Sequence, residues 1–334
     1  MNVTTIGLDL AKSVFQVHGI DTRGKAVITK QLRRSKVLEF LANLPPCLVG
    51  MEACASAHHW AREIGKLGHD VRLMPPGYVK PYVKRSKNDR ADAEAICEAV
   101  ERPTMRFVPI KSEEQQAMLV LHRVRETLVG QRIQLINAIR GHMAEFGIVV
   151  AQGAGNVQQL ISRLVDPDDT QLPARARTVS QIQADQLRDT ERRLAGLDNQ
   201  LKEQARQDET ARRLMTIPGV GPVVATAIMA TVGDARAFAS GRHLAAWLGL
   251  VPGQRSTGGK ERLIGITKAG DGYLRRLLVN GARALTRWWR TKSPWLMALL
   301  ARRPTNVATV ALANKMARVI WVVLARGEAY RTAA

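Results

Sequence analysis

Strand-like and helix-like segments alternate along the first part of the chain, and afterwards apolar positions recur every three to five residues. Residues 4–10 and 14–20 are short β-branched runs, and the turn Asp21-Thr-Arg-Gly24 leads into residues 25–30. Such runs joined by a Gly-containing turn predict a three-strand antiparallel meander. Residues 36–43 have helical spacing and stop at Pro45-Pro46, which cannot continue a helix. Residues 47–51 read as a buried strand, 57–67 as a helix closed by Gly68, and 71–74 as a short strand before Pro75-Pro76-Gly77. A further helix starts around residues 88–89 and runs to Val100. The order βββαβαβα is that of a mixed α/β layer.

The rest of the chain reads as helix. Ser112-Glu-Glu-Gln115 is a capping-box pattern, followed by Met118, Leu121, Val124, Leu128, Ile133, Ile136 and Ile139. A polar, Gly-containing stretch at 151–156 and a turn at Pro167-Asp168-Asp169 precede a second long helix over about 179–206, with Ile182, Leu187, Leu194, Leu197 and Leu201 on one side. Interleaved charges and few aromatics suit a helical hairpin or coiled coil that joins subunits, and equally an intramolecular spacer. Residues 214–334 are helical with Gly-rich punctuation. Ile217-Pro-Gly-Val-Gly221-Pro222 separates a polar helix from the apolar run 223–232, a helix–hairpin–helix pattern in which Gly219 and Gly221 would let backbone N–H groups approach a phosphate. A tight interhelical turn would look the same.

Charge sharpens this picture. The 334 residues hold 50 Lys and Arg against 29 Asp and Glu, a formal charge of +21. Residues 1–110 carry 17 basic and 11 acidic side chains, 111–213 carry 15 and 14, and 214–334 carry 18 and only 4. An excess concentrated in the last third suits a polyanion, since each neutralised phosphate releases condensed counterions. The alternative is plain solubility charge, which normally mixes both signs. Cys47, Cys54 and Cys97 form no CxxC pair and leave one cysteine over, which argues against a disulfide scaffold or structural zinc and fits a reducing compartment. No secretory signal is visible at the start, and the apolar stretch 306–325 is broken by Lys315 and Arg318. A soluble, cytoplasmic protein without a membrane span is expected.

Four carboxylates of the first region have unusual settings. Asp9 sits inside the apolar run Ile6-Gly-Leu-Asp-Leu10, and Glu52 closes Leu48-Val-Gly-Met-Glu52. Asp89 and Asp92 lie three residues apart at a helix start, hence on one face. Individually each has a bland alternative: Asp9 could pair with Lys12, and Asp89 could be an N-cap. Together they could meet at one end of the sheet, where crowded like charges need a hard cation such as Mg²⁺ or Mn²⁺. Such ions could polarise a scissile phosphate. His58 and His59 point in different directions from one helix and offer no better site, and Cys54 reads as a small buried residue rather than a nucleophile.

A second cluster is Gln254-Arg255-Ser256-Thr257-Gly258-Gly259-Lys260-Glu261-Arg262. Its glycines allow close backbone approach, Arg255, Lys260 and Arg262 would hold phosphates, and Ser256 or Thr257 supplies a hydroxyl. Lys268, Arg275 and Arg276 extend the candidate nucleic-acid surface, with Arg283, Arg287 and Arg290 further along the same helix. A hydroxyl needs a base or a metal to become a nucleophile, so from these residues alone a phosphate-binding loop without covalent chemistry is the simpler reading.

With these motifs in hand, the chain resembles the DEDD insertion-sequence transposases of the one-ten family, particularly its eleven-eleven subgroup. The resemblance is carried by GLDLAK around Asp9, GMEACASAHHW around Glu52, KNDRADAEAI around Asp89 and Asp92, IPGVGPVVA, and LVPGQRSTGGKERLIGITKAGDGYLRRLL. It implies a ribonuclease-H-like (Holliday-resolvase-like) catalytic domain over 1–110, a helical coiled-coil insertion over 111–213, and a mainly helical transposase domain over 214–334. It further implies that Asp9, Glu52, Asp89 and Asp92 are a metal-binding tetrad and that Ser256 is a serine nucleophile forming a phosphoserine link to DNA. Ser256 is preferred to Thr257 because a primary hydroxyl is less hindered. Family members are recombinases guided by a structured non-coding bridge or seeker RNA that pairs with donor and target DNA. They act as dimers and tetramers in which the serine of one protomer meets the tetrad of another, in a bacterial-type, nucleoid-associated setting. The competing expectation is a metal-dependent, junction-selective nuclease, in which water replaces Ser256. No GxxxxGK[ST] motif is visible, consistent with energy conserved in a serine ester.

Overall fold

The five segments read as strands pair into one sheet of order β3-β2-β1-β4-β5, comprising β1 (Thr5–Asp9), β2 (Val14–Ile20), β3 (Ala26–Arg33), β4 (Leu48–Glu52) and β5 (Asp70–Met74). The first three form the expected antiparallel meander, while β4 and β5 add parallel to β1. The C-terminal ends of β1, β3, β4 and β5 and the start of β2 therefore share one edge. The computed structural model describes residues 2–84, 88–166, 171–288 and 293–331. The chain divides into two compact units, Met1–Gln116 and Ala117–Ala334.

In the first unit, helices α1 (Val37–Ala42), α2 (Ala57–Lys66), α3 (Pro76–Val79) and α4 (Asp89–Val100) flank the sheet. Side chains alternate across a strand, and the two faces of β1 are used differently. Ile6 and Leu8 pack with Phe15, Trp60, Ala61 and Ile64 on the α2 side. On the other side a Cβ at Gly7 would lie 2.1 Å from the Ala93 carbonyl oxygen, and one at Gly50 would lie 2.8 Å from the Val100 side chain. Only glycine allows α4 to approach this closely. By the same alternation Asp9 and Glu52, two residues beyond Gly7 and Gly50, are turned to the α4 face. Thr5 anchors the far end of that helix by donating to Glu101 at 2.8 Å.

The second unit holds most of α5 (Glu113–Ala144), together with α6 (Val157–Val165), α7 (Ala174–Gln207), α8 (Glu209–Met215), α9 (Pro222–Val232) and α10 (Gly241–Trp247). It continues through the hairpin β6 (Pro252–Gln254) and β7 (Leu263–Ile266), then α11 (Gly272–Trp288), α12 (Pro294–Arg302) and α13 (Thr305–Arg326). α5 and α7 run antiparallel, pinned by Arg125 to Asp198 at 2.6 Å and by His142 to Gln183 at 3.0 Å. Their lower part closes on Ile136, Ile139, Met143, Ala184 and Leu187 with α6 between. The sequence reading omitted α6, although Val157, Leu160, Ile161 and Leu164 have helical spacing, and it started α7 five residues late. The turn expected at Pro167-Asp168-Asp169 lies outside the described residues, as does Arg290.

α13 is long and apolar enough to cross a membrane, yet its inner side is accounted for by packing. Leu312, Ala313, Met316, Ala317, Ile320 and Val323 join residues of α8, α9, α10 and α11 in one core.

Candidate metal centre and serine hairpin

Asn88 caps α4 by accepting from the Ala91 N–H at 2.9 Å. Asp89 and Asp92 therefore occupy the first turn, and Asp89 is not the cap. Their carboxylate oxygens and one from Asp9 all lie within 4.8 Å of one another. Glu52 does not join that mutual set. It ends the neighbouring parallel strand one position beyond the Leu8–Met51 pair, close enough for its charge to act on Asp9. The structure thus gathers three of the four expected carboxylates tightly, with the fourth at the rim. The alternative partner for Asp9 fails: among the described residues Lys12 makes no ion pair with it.

Partial burial, then the charges of Asp92, Asp89 and Glu52 in that order, push the Asp9 carboxyl up to about 6 from 3.8, against a lowering hydrogen bond from the Leu10 backbone. Desolvation and like charge both disfavour a second and third anion here. An all-oxygen donor set that resists its own ionisation fits a hard divalent cation, which would reverse both effects. Asp9, Asp89 and Asp92 would hold it, with Glu52 beside them.

Residues 254–263, read as a loop, are instead the arms and tip of the β6–β7 hairpin. Lys260 N–H donates to the Thr257 carbonyl at 3.0 Å, and Arg255 N–H to the Arg262 carbonyl at 2.9 Å. The two central residues of the turn, Gly258 and Gly259, have φ of +55° and +74°, the backbone of a type I′ hairpin turn. The glycines therefore serve the turn. Ser256 stands exposed one residue before it, its Oγ accepting from Gln254 Nε2 at 2.8 Å. An amide donor cannot take the serine proton, so any base must come from elsewhere.

The expected phosphate contacts divide into two groups. Arg255, Lys260, Arg262 and Lys268 are exposed and free of ion pairs among the described residues. Arg275 is committed inwards, donating to the carbonyls of Leu248 at 3.0 Å and Ala269 at 2.6 Å. Arg276 is paired with Glu126 of α5. These two support the fold first, a role that local sequence does not reveal. Gly219 (φ +82°) also has a packing reason: an added Cβ would fall 2.8 Å from Leu285 and 3.0 Å from Met316. Gly221, the N-cap of α9, faces open space and remains free for ligand approach.

His58 accepts from the Lys111 N–H at 3.2 Å and is lowered to about 4 by burial and by Lys111 and Arg62. It is a packing residue of α2. Cys54 is exposed rather than buried as expected, and partial desolvation with nearby Glu52 and Asp9 raises its thiol pKa, which disfavours a thiolate nucleophile. Sequence reasoning missed a buried polar network in the second unit. His122 bridges the Tyr273 hydroxyl at 3.0 Å and Thr226 Oγ1 at 3.1 Å.

A mixed sheet with carboxylates at the ends of adjacent strands, and on the helix docked against that face, is compatible with a ribonuclease-H-like domain of nucleic-acid-processing enzymes. Comparison with known proteins agrees. A transposase model of the DEDD, IS110 type matches residues 6–148, and the model described as the transposase IS116/IS110/IS902 family matches residues 211–299. The chain is 51% identical to a probable family 20 transposase of Pseudomonas aeruginosa, covering 99% of both chains. It is 42% identical to the transposase of insertion sequence element IS1328 of Yersinia enterocolitica, over 98% of this chain and 99% of that one. It is also 42% identical to the transposase of IS1111A of Coxiella burnetii, over 100% and 93%. The chain belongs to the IS116/IS110/IS902 family of insertion-sequence transposases, and its substrate is DNA.

Proposed function

We propose that this transposase is an RNA-guided, Mg²⁺-dependent (or Mn²⁺-dependent) DNA recombinase that cuts and rejoins strands through a phosphoserine at Ser256. The observation that carries this reading is the setting of Ser256: an exposed primary hydroxyl on a hairpin tip, held by Gln254 and flanked by three cations that make no ion pair among the described residues. Asp9, Glu52, Asp89 and Asp92 would hold the metal, which supplies charge neutralisation at the scissile phosphate and lowers the barrier for attack by a hydroxyl. Arg255, Lys260 and Arg262 orient the phosphate. Ser256 Oγ forms the new P–O bond as the strand oxygen leaves and takes up a proton. The reverse attack by a strand hydroxyl restores the phosphodiester and returns the serine.

In this reading residues 1–110 are the catalytic domain, 111–213 join subunits, and 214–334 carry the serine and the main nucleic-acid surface. The working unit is a homodimer or homotetramer bound to donor DNA, target DNA and a bridge or seeker RNA. The test is to co-express the full chain with the DNA flanking its gene, sequence the bound RNA, and incubate the complex with Mg²⁺ and end-labelled element DNA. One discrete structured RNA, and a denaturation-resistant protein–DNA adduct absent from Ser256→Ala, are the expected results. A Ser256→Ala protein that cleaves at the wild-type rate would establish the junction-nuclease reading instead.

A further inference from the structure

The expected nucleic-acid contacts all lie in the last third of the chain, but the first unit carries a cationic site of its own. A pocket of about 720 Å³ opens at the end of the sheet, lined by Lys12, Ser13, Arg33, Arg34, His59 and Trp60 among others, none of them acidic. Lys12 and Ser13 follow β1 by a few residues, Arg33 ends β3, and His59 lies in the first turn of α2. The pocket therefore shares the sheet edge on which Asp9 and Glu52 end their strands. It lies on the α2 side of that edge, where Phe15 and Trp60 pack, whereas the carboxylates face α4.

One of its charges is held in place, and two more make no ion pair among the described residues. The Arg34 guanidinium stacks 5.0 Å from the Trp60 ring centroid and 5.6 Å from that of Phe15. Its backbone N–H is fixed to the Ser13 carbonyl at 2.9 Å. Arg33 and Lys12 are exposed and make no ion pair among the described residues. Of the acids near in sequence, Asp9 makes no ion pair with Lys12 and is turned to the α4 face, while Glu39 is engaged by Lys36 at 2.8 Å and Glu63 by Lys66 at 2.7 Å. A pre-oriented guanidinium on an aromatic, beside a second guanidinium, an ammonium and a hydroxyl, is suited to the non-bridging oxygens of phosphodiesters.

We infer that this pocket is a phosphate-binding subsite for the substrate DNA strand, gripping the backbone where it crosses the sheet edge away from the Asp9 cluster. The inference rests on the proposed metal centre only for which strand is held. The binding itself requires no metal.

The test uses the full-length protein in EDTA, with fluorescein-labelled single-stranded DNA and the RNA of the same sequence as probes, titrated by anisotropy across a salt series. Lys12→Gln/Arg33→Gln is the reporting variant, since both side chains are exposed and Arg34 is left to its packing role. Lys25→Gln, at the opposite end of the sheet, controls for charge loss. The double variant is expected to bind DNA about tenfold more weakly at moderate salt. The slope of log affinity against log salt should shrink by about 1.4, since each single-strand phosphate contact contributes about 0.7. The control should change neither. An unchanged slope, a change no larger than that of Lys25→Gln, or an effect confined to RNA would overturn the assignment. Mg²⁺-dependent thermal stabilisation, measured on the same proteins, should survive in the double variant. Its absence from wild type would count against the metal centre and leave the binding result standing.

Discussion

Replacing Asp9 with Asn should make the metal-free protein more stable. The carboxyl is half-buried beside three other acids and is raised from 3.8 to about 6, so the folded state binds its proton more tightly than the unfolded state does. Stability is therefore lost as pH rises from about 4 to about 6 and stays lost above. Two pKa units correspond to about 3 kcal/mol, an upper bound for a half-buried group, so a gain of about 1–3 kcal/mol is expected near pH 8. Asn keeps an oxygen able to accept from the Leu10 N–H. Thermal unfolding in EDTA should show a midpoint higher by about 4–10 °C for Asp9→Asn, with the wild-type/variant difference growing between pH 4 and 6 and level above. His58, lowered to about 4 in the same unit, has the opposite slope, so only this difference isolates Asp9. Added Mg²⁺ should reverse the ranking, since a ligand at 100 times its dissociation constant stabilises by about 2.7 kcal/mol and the variant lacks a ligand at the centre of the site. A variant less stable than wild type in EDTA, or equal stabilisation of both by Mg²⁺, would refute the reasoning.

Further outcomes follow from the same geometry. Gly7→Ala drives a Cβ to 2.1 Å from the Ala93 carbonyl, which costs about 3 kcal/mol or more. By displacing α4 it should abolish Mg²⁺ stabilisation, both effects being readable in one melt. Ser256→Ala and Thr257→Ala lie on an exposed hairpin and should leave the unfolding free energy from urea titration within about 0.5 kcal/mol of wild type, while only Ser256→Ala loses the covalent adduct on a denaturing gel. His122 is buried and lowered to about 4. Between pH 6.5 and 4 the unfolded state binds the extra proton, so the second unit should lose up to about 3 kcal/mol on acidification, and urea titrations of His122→Gln should show a shallower acid slope.

The layout of the first unit was legible because strands with β-branched runs and Gly or Pro boundaries announce themselves locally. All five strands, α2 and α4 fall within a few residues of expectation. The acidic cluster was legible for a related reason: a charge inside an apolar strand demands an explanation, and the i, i+3 spacing of Asp89 and Asp92 supplies a partner face. Other features needed tertiary contacts. The segment from Gln254 to Leu263 contains no apolar alternation, so its strand pairing was hidden, although Thr257-Gly-Gly-Lys260 is itself a hairpin-turn signal. Gly219 looked like a phosphate-contact glycine because Leu285 and Met316, the side chains that crowd it, are more than sixty residues away.

Basic residues show most clearly what a local reading leaves undetermined. Arg255 and Arg275 are alike as sequence, each a basic residue in a Gly-rich basic segment. Arg255 stands in solvent and makes no ion pair among the described residues, so its charge is available to a phosphate. Arg275 already satisfies two carbonyls, that of Leu248 at the C-terminal end of α10 and that of Ala269 just before α11. Removing it leaves the partly buried Leu248 acceptor without this donor, at roughly 1–3 kcal/mol. Arg255→Ala should lower the salt slope of DNA binding by about one with no change in unfolding midpoint, and Arg275→Ala should lower the midpoint first. Equal behaviour of the two would mean that both face the nucleic acid. The inward hydrogen bonds of Arg275 would then be ones it gives up on binding.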